Sequence, residues 1–419
     1  MLRRADPVSA SRYVAIDALR AVACVAVVLF HAGMYWQRAL WLGWPALSDV
    51  DVDPWWSRAV SHVAELGFQG VSLFLVLSGF CLYLPLVART EPGRERVDLP
   101  SFAKARLLRI GPPYWASIGL LWAATSAIPW VAEWSIFAPI TLRDVLIHAG
   151  FAHNLVPSSL WTINGVYWSL ALEAQLYVVF PLLVVMARRL GAVRVAVLAL
   201  ALSAVWPLAI DRLFPSLDGN AWTVVYESVP GRLGEFTAGM AAAALVARGA
   251  PRWARGVAWV LSPLWLPAAW AVHVARLTSY PFDKLACALS FAAIAYLVAS
   301  GERARKRAGP IARVLAPIGV VSFSLYLVHQ PVILMARKWM YAEPRSHAEV
   351  WAWCLLGLVP ALVVLSAVYH RAFEAPFLAG GWVRKRLYAN NGAQPAGPSL
   401  DGNAEDAARR QERGSGTAA

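Results

Sequence analysis

YVAIDALRAVACVAVVLFHAGMYW, residues 13–36, is an almost unbroken apolar run. It exceeds the roughly 20 residues that a helix needs to cross the hydrocarbon core of a bilayer. Arg3, Arg4 and Arg12 precede it, and no small-residue cleavage site follows it. It therefore reads as a retained first membrane helix and not as a signal peptide. Arg20 and His31, both ionisable, lie inside it. Their spacing carries the helix about 20° past three full turns, so both share one face, separated by about 16 Å along the axis. Ionisable groups at membrane depth are costly and mark candidate functional sites.

The rest of the chain follows the same pattern. Of its 419 residues 59% are hydrophobic and only 15% charged, with a mean hydropathy of +0.51. A soluble domain carries about 25% charged residues, so this composition excludes one. Apolar segments recur at 14–36, 66–88, 111–130, 165–187, 194–212, 229–248, 256–275, 284–300, 314–337 and 351–372. The expected fold is an all-α, polytopic membrane bundle of about ten transmembrane helices.

The net charge of +13 sits in short clusters between apolar runs, which argues against nucleic acid as the partner. One set of loops carries Arg89, Arg94 and Arg96, then Arg188, Arg189 and Arg194, then Arg248, Arg252 and Arg255, then Arg303, Arg305, Lys306 and Arg307. The opposite loops hold fewer cations together with Asp49, Asp51, Asp53, Glu133, Asp144 and Asp218. The positive-inside rule places the basic loops and both termini in the cytoplasm. Residues 1–12 read as a cytoplasmic segment, 13–388 as the membrane domain and 389–419 as a disordered cytoplasmic tail, poor in core-forming residues. Residues 37–64, with Trp41, Trp44, Trp55 and Trp56, read as an outer loop at the lipid interface, and residues 131–164 as a second outer loop. Cys24, Cys81, Cys287 and Cys354 lie in apolar stretches without metal-type spacing, so no metal site is expected.

Further polar clusters interrupt the apolar runs. Lys104, Arg106 and Arg109 precede Pro112 and Tyr114; guanidinium forks suit phosphate oxygens, although anchoring on the inner face explains the same cations. Trp168 and Ser169 open the fourth run, with Ser169 a candidate helix cap, and Glu173 and Gln175 follow at membrane depth. Glu173 would orient a histidine or pair with an arginine such as Arg232. Arg232 also stands three residues before Glu235, where a local ion pair forms readily. Ser322, Tyr326 and His329 share a helix face, and Pro331 marks a kink. Glu374 ends the last run.

Taken in order, these residues resemble the acyltransferase-3 family of membrane O-acyltransferases. The resemblance rests on Arg20 with His31, Phe74-Leu-Val-Leu-Ser-Gly-Phe80, and Arg106 and Arg109 before Pro112 and Tyr114. It continues through Trp168-Ser-Leu with Glu173 and Tyr177, Ser324-Leu-Tyr-Leu-Val-His329 before Pro331, and Phe373-Glu with Pro376. It covers about residues 12–380, in the family's order, and is to the stand-alone type without an SGNH domain.

The resemblance implies transfer of an acetyl or other short acyl group from acyl-CoA, a cosubstrate and not a resident cofactor. The acceptor it implies is a hydroxyl of a carbohydrate or glycosylated molecule, at the inner (cytoplasmic) membrane. It makes His31 the general base with Glu173 as its partner, and assigns Arg20, Arg106, Arg109 and Tyr114 to the donor. Ser322, Tyr326, His329, Trp168, Ser169 and Arg232 then line the channel or acceptor site. Direct attack of the acceptor and an acyl-histidine intermediate both remain open. A transporter or flippase is the competing class, since polar stripes and kinked helices suit transport too.

Overall fold

The computed structural model of the chain describes residues 13–41, 54–129, 131, 139–217, 219–273, 280–305, 307–340, 346–378 and 381–383. Among these there is no strand. In lipid every backbone N–H and C=O must find its partner within the protein, and helices satisfy that requirement segment by segment. The elements are α1 (Val14–Trp41), α2 (Trp55–Glu65), α3 (Gly70–Arg89), α4 (Leu99–Ala127), α5 (Leu142–Ala149), α6 (Tyr167–Leu190), α7 (Ala192–Leu213) and α8 (Gly219–Tyr226). There follow α9 (Val229–Arg248), α10 (Arg252–Leu261), α11 (Trp265–His273), α12 (Tyr280–Arg305), α13 (Pro310–Val320), α14 (Ser322–Met340), α15 (His347–Trp353) and α16 (Val359–Tyr369).

Large apolar side chains face outward. Val178 on α6, Val197 on α7 and Val364 on α16 are all exposed, the reverse of a soluble protein and suited to a lipid surround. Among the described residues six helical segments are long and apolar enough to cross a membrane, and up to seven if the bent pair α13–α14, angled by 65°, counts as one span. That is fewer than the expected ten. The runs at 111–130 and 229–248 do appear in the helices α4 and α9, but the first is diluted by Gly111, Pro112, Pro113, Ser117, Gly119, Thr125 and Ser126, and α9 carries Arg232, Glu235 and Arg248. The run at 256–275 breaks into α10 and α11 at the turn 262–264, leaving neither piece of spanning length.

Where helices cross most closely, glycines permit it. Gly79 of α3 lies against the backbone of Phe236, and Gly239 of α9 against the backbone of Val76. A side chain at either position would collide with a carbonyl, the small-residue packing that lets membrane helices approach. Gly319 of α13 meets the backbone of Asp17 in α1 in the same way. Beside these crossings Leu77, Phe80, Tyr83, Leu172, Phe180 and Phe236 build the main buried core.

Two segments expected to be outer loops contain helices. Residues 55–65 form α2, which runs through a 3-10 turn (Leu66–Gln69) into α3. Ser57 and Ala64 face inward while Trp55 and Val63 are exposed, so an amphipathic helix accounts for residues that read as interfacial tryptophans. Residues 142–149 form α5, started by a capping box in which the Thr141 side chain accepts from the Asp144 amide and Asp144 reaches back to the Thr141 amide. Trp44, the segment 1–12 and the tail 389–419 lie outside the described residues.

Last come two π-helical stretches, Cys354–Leu358 and His370–Glu374, on either side of α16. Such insertions re-aim side chains and cluster at functional sites. The second one carries the fully buried carboxyl of Glu374.

Candidate active site

α1 and α14 run parallel and in register. The Cys24 thiol donates to the Ser322 carbonyl at 3.4 Å, and one helical stretch further on His31 and His329 meet at 3.3 Å. This register places the polar faces of both helices side by side.

Against that seam lies a cavity with about 670 Å³ of empty space, part of it open to solvent. Arg20 and Arg109 line it, followed by Ser78, Glu173 and Tyr177, and then Ser169, Ser322 and Tyr326. Along α14 it therefore extends from Ser322 to Tyr326, with His329 less than one turn beyond. The rings of Tyr326 and His329 are 5.4 Å apart, and those of His329 and His31 5.1 Å. His31 is not itself among the lining residues; Tyr326 and His329 connect it to the cavity.

At the arginine end, Arg20 pairs with Asp17 at 4.0 Å. Arg109 faces Glu374 at 3.6 Å, and Glu374 also accepts from Ser324 at 2.6 Å and meets His370 at 2.9 Å. Glu374 thus ties a cavity arginine on α4 to the helix that bears His329. In sequence it was a weak signal; the π stretch that turns it inward has no signature of its own.

Glu173 lines the cavity, and its hydrogen bonds come from Ser78 and from Tyr177, the latter at 2.6 Å. The expected pairing of Glu173 with His31 is not formed: α6 presents Glu173 beside Ser78 of α3, away from the imidazole. His31 Nδ1 instead lies 2.9 Å from the Val27 carbonyl and 3.3 Å from His329 Nε2. Ser78 lies in the apolar stretch Phe74–Phe80, where its spacing alone does not mark it for chemistry.

Other expected residues separate into two groups. Ser322, Tyr326 and Ser169 share the cavity wall, with the Tyr326 and Ser169 hydroxyls 2.6 Å apart. Ser169 does not cap α6, since its hydroxyl donates to the Val166 carbonyl at 3.1 Å from inside the first turn. Arg106, Tyr114, Trp168 and Arg232 do not line the cavity. Arg106 is buried, its guanidinium about 6 Å from the ring centres of Phe102 and Tyr177. Tyr114 is fully buried in a second core, stacked on Phe151 and edge-on to Tyr167. Arg232 is held by Glu227, Glu235 and Ser72, with Trp168 alongside; two carboxylates satisfy this buried cation, so Glu173 is not its partner.

Outside the spanning segments, His148 and His153 stack at 3.8 Å between ring centres, both with no exposed surface. Burial pushes both imidazoles below the ordinary histidine range, and the neighbouring His148 lowers His153 further. Among the described residues no group of three or more His, Cys, Asp or Glu side chains is arranged to hold a metal ion.

The family model described as an acyltransferase domain matches residues 13–370. The chain belongs to the acyltransferase-3 family. A curated relative, Acyltransferase MdmB from Streptomyces mycarofaciens, is 27% identical over 339 residues, covering 76% of this chain and 82% of the relative. No solved structure matches the chain. Membership of the acyltransferase-3 family makes the protein a membrane acyltransferase, and the matched span takes in both histidines, the cavity arginines and His370 while ending just before Glu374.

Proposed function

We propose that this acyltransferase takes an acetyl or other short acyl group from acyl-CoA and transfers it to a hydroxyl of a carbohydrate or glycosylated acceptor. One observation carries the reading: a single cavity has two arginines in its wall at one end and approaches an imidazole pair at the other. That layout fits a donor with phosphates at one end and a thioester at the other.

Arg109 and Arg20 bind the donor's phosphate oxygens through charge-assisted hydrogen bonds. The slender pantetheine arm follows the wall formed by Ser78, Glu173 and Tyr177. The axial reach from Arg20 to His31 is about 16 Å, comparable to such an arm when extended. His31 takes the proton from the acceptor hydroxyl as its oxygen bonds to the acyl carbon. The carbon–sulfur bond breaks, and the proton passes to the departing thiolate, giving the ester and CoA thiol.

The positive-inside bias supports placing Arg109 and both termini on the cytoplasmic side of the inner membrane, where acyl-CoA is made. In this topology the bundle has ten spans: the seven counted with the bent pair, α4 and α9 with their charges facing protein rather than lipid, and α10 with α11 together as one broken span. Arg106, buried against Tyr177, stiffens the wall beside Arg109 instead of meeting phosphate.

The test is turnover of [14C]acetyl-CoA by purified protein in lipid nanodiscs, wild type against His31→Ala. Wild-type turnover that is lost in the variant supports the reading. Equal turnover by both removes His31 from the chemistry.

A further inference from the structure

The pairing of His31 with His329 fixes which nitrogen does the work. His329 Nδ1 lies 2.8 Å from the Tyr326 carbonyl and 3.2 Å from that of Leu325. Carbonyl oxygens only accept, so the His329 proton sits on Nδ1 and its Nε2 carries a lone pair. That lone pair faces His31 Nδ1 at 3.3 Å. His31 Nδ1 also faces the Val27 carbonyl at 2.9 Å, so it too is the protonated nitrogen, its one hydrogen shared between the two acceptors. The basic lone pair of His31 is therefore on Nε2. Tautomers follow from hydrogen-bond partners in this way, and the second nitrogen of an imidazole sets the role of the first.

We propose that His329 is the positioning residue of the acyl-transfer reaction: a neutral imidazole that holds His31 with Nε2 toward the acceptor and stabilises the imidazolium that forms there. This rests on the reading of His31 as general base. His329 has no exposed surface, and its Nδ1 is anchored to the backbone of its own helix, so its Nε2 is preorganised.

When the acceptor hydroxyl gives its proton to His31 Nε2, the bond from His31 Nδ1 to His329 Nε2 becomes charge-assisted and strengthens. The gain exists only once charge develops, so it enters kcat and leaves donor binding unchanged. The proton then leaves Nε2 for the CoA thiolate, and both imidazoles return to their starting tautomers. A carboxylate in this place would hold the proton more tightly; a neutral ring lets His31 release it to the leaving group.

Three substitutions separate this role from packing. In His329→Gln the amide oxygen reaches the former position of Nε2 and still accepts from His31. In His329→Asn the amide reaches only the former position of Nδ1. His329→Leu offers no acceptor. With [14C]acetyl-CoA as donor, kcat is expected to fall by about 10- to 100-fold in the Leu and Asn variants. The KM for acetyl-CoA stays within about 2-fold, and Gln restores most of the loss. Wild-type kcat in His329→Leu overturns the proposal, as does a rise in KM alone or equal activity for Asn and Gln.

A readout on the unaltered protein guards against misfolded variants. The 15N spectrum of histidine-labelled wild type, assigned with His31→Ala, is expected to show the Nδ1–H tautomer at His31. An Nε2–H tautomer there overturns the proposal. His31-dependent turnover that is insensitive to position 329 counts against His329 alone; turnover independent of His31 counts against the acyltransferase chemistry assigned to this site.

Discussion

Replacing Glu374 tests how the arginine end of the cavity is held. Its carboxyl has no exposed surface and accepts from Ser324 at 2.6 Å, with Arg109 at 3.6 Å and His370 at 2.9 Å. Removing one member of a buried ion pair leaves the other charge uncompensated and costs about 3–5 kcal/mol. Glu374→Ala is therefore expected to lower stability by that amount. Glu374→Gln keeps an oxygen for Ser324 and loses the charge, a smaller cost of about 1.5–3 kcal/mol. Adding Arg109→Leu to Glu374→Ala removes the stranded cation, so the double variant is expected to be more stable than the sum of the two losses by about 0.5–3 kcal/mol. Thermal unfolding of the purified protein in one fixed detergent, followed by tryptophan fluorescence, ranks the five proteins: wild type, Glu374→Ala, Glu374→Gln, Arg109→Leu and the double variant. An Ala variant as stable as wild type, or strictly additive losses in the double variant, refutes the reasoning.

Three other expectations follow from the geometry. Arg109→Ala should raise the KM for acetyl-CoA about 10-fold or more, whereas Arg106→Ala, away from the cavity wall, should lower the unfolding temperature with KM little changed; steady-state kinetics and a thermal scan on both variants decide it. Gly239→Val drives a side chain into the Val76 carbonyl, while Gly256→Val enters open space, so size-exclusion chromatography should show loss of monodisperse protein for the first only. Burial holds the His148 and His153 imidazoles below the ordinary histidine value of about 6.5. The unfolded chain takes up these protons first as pH falls through about 6.5, so the stability from the neutral pair is complete above that pH and declines below it. The unfolding temperature should drop between pH 7.5 and pH 5.5, and less so in His148→Phe/His153→Phe; an identical slope in both proteins removes the pair as the cause.

Much of this was legible in the sequence because membrane helices advertise themselves. The run 13–36 became α1, and 229–248 became α9 with both ends as expected. Arg20 and His31 share a helix face by periodicity alone, and so do Ser322, Tyr326 and His329; the histidine pair forms where those two stripes meet. What periodicity cannot give is pairing between helices. Glu173 sits at the right depth to serve His31, yet its rotation about α6 brings it to Ser78, and no single-helix argument fixes that rotation. Arg106 and Arg109 are one turn apart and look equivalent, but packing turns one toward Tyr177 and the other into the cavity. The inward aim of Glu374 depends on a π stretch that composition does not mark. Spanning segments were harder to count than to find, because prolines, glycines and hydroxyl residues dilute the apolar run of α4, and α9 carries charges whose burial depends on neighbours.

The most direct check of the joined passage is a cryo-EM structure with a non-hydrolysable thioether analogue of acetyl-CoA. Its phosphates should lie on Arg109 and Arg20, its arm beside Ser78 and Glu173, and its acyl carbon close enough to His31 Nε2 for one hydroxyl to sit between them in attacking contact of about 3–3.5 Å. An analogue seated elsewhere, or one whose acyl end stops short of Tyr326 with His31 sealed off, contradicts it.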